Sequence, residues 1–318
     1  MKLSICVFIK NNNAGGFCLW ESMATLMPLA DEFFVLDLGS TDGTYTALQD
    51  LASKNKKIRL EQGKFPVNRE TGMVDAGSFA ELPNAMIPTC KNELVMYYQA
   101  DEIFHEHLIK KLKKRLEKPV DNGLSFWRYQ LGYNFQQIKW FPHIVHRIDR
   151  KDRFNFIFEG SDGMNSDRYN DAELFSDYNG GWFTRWGAEY SKGRKIPIGK
   201  DGKPYIYGTT FHEITEGKRA VEMPTNDMIL DVSSIGAFLE NIGNKSKYHA
   251  PMWRTDSEAI NIGGVVHNLK DWYNKEKDNE DWTKKTTPFN IPKIMKPLLG
   301  QQTYPIRQEV LEKICYSK

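Results

Sequence analysis

The sequence has few cysteines, and their spacing excludes the common cysteine-based architectures. The chain of 318 residues contains four of them, whereas zinc sites and disulfide scaffolds depend on closely spaced cysteines. Cys6, Cys18, Cys90 and Cys315 lie far apart in the chain. This usage favours a reducing compartment over a secreted, disulfide-stabilised protein.

Long hydrophobic runs are also missing. The first run, Leu3–Ile9, is closed at once by Lys10 and a row of asparagines, so it is too short for a signal peptide with its cleavage site. No run approaches the ~20 apolar residues that a membrane-spanning helix needs. We therefore expect a cytoplasmic protein without a membrane span.

A large excess of one charge is absent as well. The formal net charge is +2, with 40% hydrophobic and 26% charged residues, and these values are ordinary for a globular protein. So small a total neither indicates nor excludes nucleic acid, because a local basic face can lie within a balanced chain. The N-terminal part also lacks a glycine-rich, lysine-containing triphosphate loop, which argues against a nucleotidyltransferase.

The first hundred residues contain alternating apolar runs and amphipathic segments. The predicted strands are residues 3–9, 31–38, 57–65 and 93–101, and the predicted helices are 16–30, 44–55 and 76–90. Such alternation is typical of βαβ units, so we predict an α/β fold with a mostly parallel central sheet flanked by helices. A basic amphipathic helix at 105–118 follows. Mixed strands and an irregular, partly helical C-terminal extension complete the prediction.

One turn in this pattern has an unusual composition. The second predicted strand ends in "VLDLGSTDGT", where Asp37 is followed by Gly39, Ser40, Asp42 and Gly43. Ligands of parallel sheets bind beyond the carboxyl ends of the strands. A carboxylate there can accept hydrogen bonds from a ribose or a uracil-like ring, and glycine permits close approach of the backbone. The alternative is a strand-to-helix connector with good capping residues.

Polar residues also follow the first and fourth predicted strands. Lys10 and Asn11 come after the first, and Gln99, Asp101 and Glu102 come after the fourth. Because neighbouring parallel strands end at one edge of a sheet, these side chains are predicted to share a crevice with Asp37. Acids and amides together suit a sugar nucleotide and a hard divalent cation such as Mg²⁺ or Mn²⁺.

Three segments in this order resemble the inverting family 2 glycosyltransferases of the GT-A fold. They are "LSICVFIKNN", "ADEFFVLDLGSTDGT" and "YYQADEIF", and together they cover about residues 1–105. The resemblance implies a Rossmann-like nucleotide-sugar-binding half, a UDP-sugar as the expected donor, and Mn²⁺ or Mg²⁺ as the cofactor. It implies donor contacts for Lys10 and Asn11 and for the Asp37 turn.

The chain departs from the family pattern at two positions. Leu38 stands where many members have a second acid beside Asp37, and Gln99 stands where the first acid of the Asp-x-Asp segment is expected. The resemblance therefore leaves Asp101 as the main metal carboxylate, with Glu102 in support. Gln99 is kept as a donor-binding residue.

The resemblance also implies roles for residues in the second half. An inverting transfer needs a general base for the acceptor hydroxyl; Glu159 in "FNFIFEGSDG" is the first candidate and Asp162 the second. His212 is expected near the metal, and Arg147 near the diphosphate. Each also has a structural explanation: a strand-end carboxylate, a hydrogen-bonded histidine, or an arginine paired with a nearby acid.

These expectations divide the chain into three parts. Residues 1–120 form the nucleotide-sugar-binding half, residues 121–240 the acceptor-binding and catalytic half of the same domain, and residues 241–318 the extension. The predicted activity is transfer of a hexosyl or pentosyl group to a hydroxyl of a saccharide or glycoconjugate.

Two other functions stay open at the level of sequence. A basic and aromatic stretch at 180–195 and the basic helix would suit a DNA glycosyltransferase that acts on a flipped-out, hydroxymethylated pyrimidine. The missing acid at Gln99 would suit a sugar-nucleotide-binding protein without catalytic activity.

Overall fold

A computed structural model of the chain describes most of its first 120 residues and shorter segments beyond them. The described residues are 1–15, 17–64, 78–120, 124–130, 138–139, 143–151, 229–231, 259–262, 265–268, 282–283, 291–298 and 306–317. Within these ranges, eight strands form one mixed sheet, and two separate strand pairs lie outside it.

The first four strands form the parallel part of the sheet. They are β1 (Leu3–Ile9), β2 (Glu32–Asp37), β3 (Ile58–Gln62) and β4 (Leu94–Tyr97). β1 lies between β2 and β4, β3 lies beyond β2, and all three pairings are parallel. Almost every residue of β1, β2 and β4 is buried, which is why they form apolar runs without alternation. The predicted parallel sheet is confirmed.

The remaining strands of the sheet come from later in the chain. They are β5 (Glu102–Phe104), β6 (Leu124–Gln130), β8 (His143–Arg150) and β9 (Ile229–Asp231). β8 pairs antiparallel with β4 and with β6, and β9 pairs parallel with β6 and antiparallel with β5. The sheet is therefore mixed, which agrees with the mixed strands predicted after the basic helix.

Two short antiparallel pairs complete the described strands. β7 (Ile138–Lys139) pairs with β12 (Trp282–Thr283). β10 (Ala259–Ile262) pairs with β11 (Val265–Asn268) as a hairpin. The division of the chain at 120/121 and 240/241 stays a prediction.

Helices cover both faces of the sheet. They are α1 (Asn12–Gly15), α2 (Leu19–Leu26), α3 (Thr44–Lys54), α4 (Ser78–Thr89), α5 (Glu106–Leu116) and α6 (Gln308–Tyr316). Short 3-10 turns lie at Met27–Leu29 and Lys296–Leu298. Apolar residues of α2, α3, α5 and α6 join one core, and those of α4 join the core on the opposite face. α5 presents lysines to solvent and buries three leucines, as its periodicity predicts.

The core on the α4 face of the sheet, the second core, contains two free thiols. Cys6 of β1 and Cys90 after α4 are both buried. Burial, with Cys90 nearby, raises the pKa of the Cys6 thiol well above its ordinary value. A thiol without thiolate character is unreactive, so Cys6 is the small buried hydrophobe that its position in an apolar strand predicts.

α4 contains two prolines. The sequence predicts that Pro83 lies at a helix end or a kink. The helix continues past Pro83 to Thr89 and also contains Pro88, so the helix-end alternative is wrong. An internal proline removes one backbone hydrogen bond and costs about 3 kcal/mol. Met86 and Ile87 pack into the second core, and this burial offsets the cost because packing outweighs local propensity.

α6 packs against the N-terminal half through a buried ion pair. The Arg307 guanidinium donates to Glu21 Oε1 of α2 at 3.2 Å, and it also donates to the Ile294 carbonyl. Asn55 Nδ2 donates to the Ile314 carbonyl at 2.7 Å. Burial raises the pKa of the Glu21 carboxyl above its ordinary value of 4.5, although Arg307 opposes the shift.

We expect Arg307→Ala to destabilise the protein by about 3 kcal/mol near pH 8, because the buried Glu21 carboxylate would lose its cation. The pKa of Glu21 is raised in the folded state, so this group's stabilising contribution is full below about pH 4.5 and falls as pH rises through the raised value. The variant should therefore lose less stability near pH 5 than near pH 8. Urea unfolding at both pH values measures the difference.

Glu309→Ala provides the control for this prediction. It removes an exposed carboxylate that contacts the same guanidinium at 3.4 Å, and an exposed pair contributes less than about 1 kcal/mol. An equal loss at both pH values in Arg307→Ala would contradict the role given to Glu21.

Candidate functional site

Three parallel strands end at the same edge of the sheet. β1 and β2 are in register so that Ile9 lies opposite Asp37, and β4 ends at Tyr97, which lies opposite Cys6. The predicted fourth strand is thus shorter than expected, and residues 98–101 form a turn into β5. The polar segments that follow the three strands are brought to one edge, as the sequence predicts.

The turn between β2 and α3 is closed by the Asp37 carboxylate. Asp37 Oδ1 accepts hydrogen bonds from the backbone N–H groups of Gly39 at 3.0 Å and Ser40 at 2.9 Å. Gly39 and Gly43 have φ of 83° and 85°, a conformation that residues with a side chain adopt only under strain. The two glycines of this turn are therefore required by its backbone.

Asn11 fixes the turn from the neighbouring strand. Its backbone N–H donates to Ser40 Oγ at 2.7 Å, and its Oδ1 accepts from the Thr41 N–H at 2.7 Å. Its own φ is 51°, which asparagine tolerates better than most residues. Buried and left-handed, Asn11 joins the end of β1 to the turn after β2.

Asn13 continues this connection. Its Nδ2 donates to the Asp42 carbonyl at 3.2 Å, and its Oδ1 accepts from the indole N–H of Trp20 at 3.1 Å. Asp42 Oδ1 in turn accepts from the N–H of Thr44, the first residue of α3. The only local signal for Asn13 is its place in a row of three asparagines after a buried strand.

The second carboxylate oxygen of Asp37 has no hydrogen-bond partner in the part of the chain that the structure describes. The side chain is 0% exposed. Buried polar atoms are normally paired, and leaving one unpaired costs about 1–3 kcal/mol. A ligand N–H or O–H that reached Oδ2 would remove this cost, so Asp37 combines a structural oxygen with an acceptor that is still available.

Glu102 lies at the start of β5 and forms a buried ion pair with Arg147 of β8. Arg147 Nε donates to Glu102 Oε2 at 3.0 Å, and Nη2 donates to Oε1 at 2.8 Å. Both side chains are 0% exposed. The structure therefore brings together the residue predicted to support the metal and the residue predicted to contact the diphosphate, and it places them against each other.

The remaining predicted residues of this edge are partly exposed. Lys10 follows β1, and Gln99 and Asp101 lie in the turn before β5, all at intermediate exposure. Among the described residues, no group of three His, Cys, Asp or Glu side chains could hold a metal ion. Asp101 is a carboxylate at this edge that solvent reaches. A metal ion bound to it would need further ligands from a diphosphate or from residues beyond the described ranges.

Three predicted residues of the second half lie outside the described residues. They are Glu159, Asp162 and His212, and the basic and aromatic stretch 180–195 also lies outside. Their roles stay predictions.

No protein-family model matches the chain, and no curated protein matches it. Partial similarity extends to Staphylococcus aureus TarS 1–349, at 14% identity and TM-score 0.31, over 49% of this chain and 50% of that one. A second structure, of TarS, aligns at 12% identity and TM-score 0.35, over 79% of this chain and 40% of that one.

A mannosyltransferase, PcManGT from Pyrobaculum calidifontis in complex with GDP-Man and Mn²⁺, aligns at 17% identity and TM-score 0.29. This alignment covers 39% of this chain and 35% of that one. The chain thus spans half or less of each of these proteins. TM-scores of this size do not establish a shared fold, so the similarities carry no argument about the activity.

None of the helices in the described part of the chain is both long and apolar enough to cross a bilayer.

The contacts of Asn11 predict a graded loss of stability. Asn11→Gly keeps the left-handed backbone but removes the bond to the Thr41 N–H, at a cost of about 1 kcal/mol. Asn11→Ala loses the same bond but keeps a Cβ in that backbone region without the local side-chain bonding that asparagine has, so it should be about 1–2 kcal/mol less stable than the glycine variant. Urea unfolding of the two variants measures the difference. Equal stability of the glycine and alanine variants would contradict the assigned backbone conformation.

Proposed function

We propose that this protein is an inverting glycosyltransferase that moves a sugar from a nucleoside-diphosphate donor to an acceptor hydroxyl. The observation that carries the proposal is the buried Oδ2 of Asp37, which has no hydrogen-bond partner among the described residues. It lies at the carboxyl edge of a parallel sheet, within the segment that resembles the donor-binding turn of family 2 enzymes. The ends of β1 and β4, which carry the two other resembling segments, lie at the same edge.

The donor's nucleoside is assigned to Asp37 and its turn. Oδ1 is held by two backbone N–H groups, so the carboxylate orientation is fixed before a ligand binds, and preorganisation reduces the entropic cost of binding. Oδ2 would accept from a base N–H or a ribose hydroxyl. A uracil ring offers such an N–H, as the UDP-sugar donor implied by the family resemblance requires.

The diphosphate is assigned to the side of the edge formed by Lys10, Gln99 and Asp101. The leaving diphosphate gathers negative charge in the transition state, and a cation that offsets this charge accelerates the transfer. A divalent ion, Mn²⁺ or Mg²⁺, would supply that stabilisation with Asp101 as a protein ligand and His212 as a further candidate. Lys10 contributes a positive charge at the same edge.

Glu159 is assigned as the general base that takes the proton of the acceptor hydroxyl, with Asp162 as the second candidate. A carboxylate base on the far side of the donor sugar would deprotonate the attacking hydroxyl and produce inversion. The acceptor is a saccharide or glycoconjugate, and the transferred group is a hexosyl or pentosyl unit.

A DNA acceptor is the second candidate function, and one observation supports it. Lys110, Lys111, Lys113 and Lys114 of α5 are all exposed, so a local basic face exists despite the small net charge, and such a face attracts phosphates. Transfer to hydroxymethylated DNA but to no saccharide or glycolipid would favour this candidate. A protein that binds a donor and transfers to none of them would be a sugar-nucleotide-binding protein.

We expect Asp37→Asn to weaken nucleotide binding by about 1–3 kcal/mol, because the amide can keep one acceptor for the turn but places a donor where Oδ2 was. Calorimetry with UDP, GDP, TDP and CMP identifies the nucleotide and then measures the loss. Asp31→Ala is the matched control, since Asp31 bonds the Leu3 N–H at the opposite end of β2. Unchanged affinity in Asp37→Asn would remove Asp37 from the site.

We expect Glu159→Gln to lower transfer by about 10²–10⁴-fold while donor affinity changes less than about threefold, because a general base acts in the chemical step. Glutamine keeps the shape but cannot take the proton. Single-turnover transfer and donor titration measure the two quantities. Retained transfer in Glu159→Gln with loss in Asp162→Asn would move the base to Asp162, and retained transfer in both would refute the assignment.

A further inference from the structure

Glu102 and Arg147 form a buried ion pair at this edge of the sheet. The bond is bidentate, at 3.0 and 2.8 Å, and both side chains are 0% exposed. Bidentate, charge-assisted bonds of this kind are strong and geometrically specific. To bind a metal, Glu102 would have to give up this buried ion pair, and breaking such a pair is strongly unfavourable.

Glu102 also fixes the turn that contains Asp101. Its Oε2 accepts from the Gln99 N–H at 3.2 Å, and its backbone N–H donates to the Gln99 carbonyl at 3.0 Å. Its carbonyl accepts from Ser22 Oγ of α2 at 2.6 Å. Both the side chain and the backbone of Glu102 thus hold the two ends of the 99–102 turn.

Arg147 connects this turn to the centre of the sheet. The next residue, Ile148, lies opposite Met96 of β4, and the guanidinium carbon lies 6.0 Å from the ring centroid of Tyr97. β5 and β8 are separated in the sheet by β6 and β9. The ion pair therefore joins two strands that share no backbone hydrogen bonds, at the point where the chain leaves β4.

We propose that Glu102 and Arg147 are positioning residues. They hold Gln99 and Asp101 in place toward the donor diphosphate, and neither contacts the diphosphate or a metal ion. This assigns both residues a role that differs from the one implied by the family resemblance. The proposal rests on the proposed function for its catalytic consequence, whereas the effect on the turn can be measured without any ligand.

The first experiment is hydrogen exchange of the ligand-free protein, followed by mass spectrometry of peptides that cover residues 98–104. Glu102→Gln and Arg147→Met should each accelerate exchange in this segment, because both release the turn. Unchanged exchange in both variants overturns the proposal. If the wild type hydrolyses no nucleotide-sugar, the proposed function fails, and this experiment still decides whether the pair holds the turn.

The second experiment separates positioning from direct contact. Each single variant should lower kcat for donor hydrolysis by about 10- to 100-fold, which is the usual effect of losing a residue that orients a metal-binding or catalytic group. KM should stay within about threefold of the wild-type value. Metal-free affinity for UDP, compared with uridine, should also stay within about threefold of the wild type. A tenfold loss of UDP affinity in Arg147→Met, with uridine affinity unchanged, would show diphosphate contact and overturn the proposal.

The double variant Glu102→Gln/Arg147→Met guards against simple misfolding. It removes both buried charges, so its thermal unfolding midpoint should recover toward that of the wild type. Its kcat should remain at the level of the single variants, because the two residues act as one unit and their effects do not multiply. Full recovery of kcat, or a loss equal to the product of the two single losses, contradicts a positioning pair.

Arg59→Met is the matched control. Arg59 of β3 pairs at 3.1 Å with the buried Glu32 at the opposite end of β2. Its loss should lower stability but leave kcat and exchange of residues 98–104 unchanged. A similar fall in kcat in Arg59→Met would mean that any broken ion pair in this sheet impairs turnover, and it would overturn the specific role.

Discussion

The in-register parallel pairing of β1 with β2 is the constraint on which the rest of this edge depends. Ile9 lies opposite Asp37, and the ladder continues one step further through the bond from the Leu38 N–H to the Ile9 carbonyl. Both strands are covered on both faces. The polar backbone and side-chain groups that follow them must therefore form hydrogen bonds with one another, because little water is available there. Asn11 and Asp37 do so by exchanging bonds with the same short turn.

The sequence predicts the parallel part of the fold well because the relevant signal is local. A strand buried on both faces is a continuous apolar run, and the predicted first strand coincides with β1. Prediction is poorer where tertiary packing competes with local preference. Pro83 lies inside α4 because the burial of neighbouring Met86 and Ile87 outweighs a lost hydrogen bond. The fourth strand ends early because Glu102 bonds back to Gln99 and turns the chain.

The site shows the same division between local and distant information. Residue type and position after a strand identify Asp37 and Asn11, because the turn that needs them is adjacent in sequence. No local pattern can pair Glu102 with Arg147, which lie on β5 and β8 and meet only in the folded sheet. The contacts of Asn13 are hidden for a related reason, since they involve Trp20 and a carbonyl of the next turn.

Two carboxylates of this edge illustrate why residue type alone does not assign a role. Each is fully buried, yet Glu102 has both oxygens engaged by Arg147, whereas Asp37 has one oxygen engaged by backbone and one without a partner in the described structure. A ligand gains most from an acceptor that the protein has desolvated but not paired, because the desolvation cost is already part of folding. This contrast supports the proposal that the donor is recognised at Asp37. A neutralised, tightly held pair instead gives rigidity to its neighbours, and at this edge the neighbour is the turn that carries Asp101.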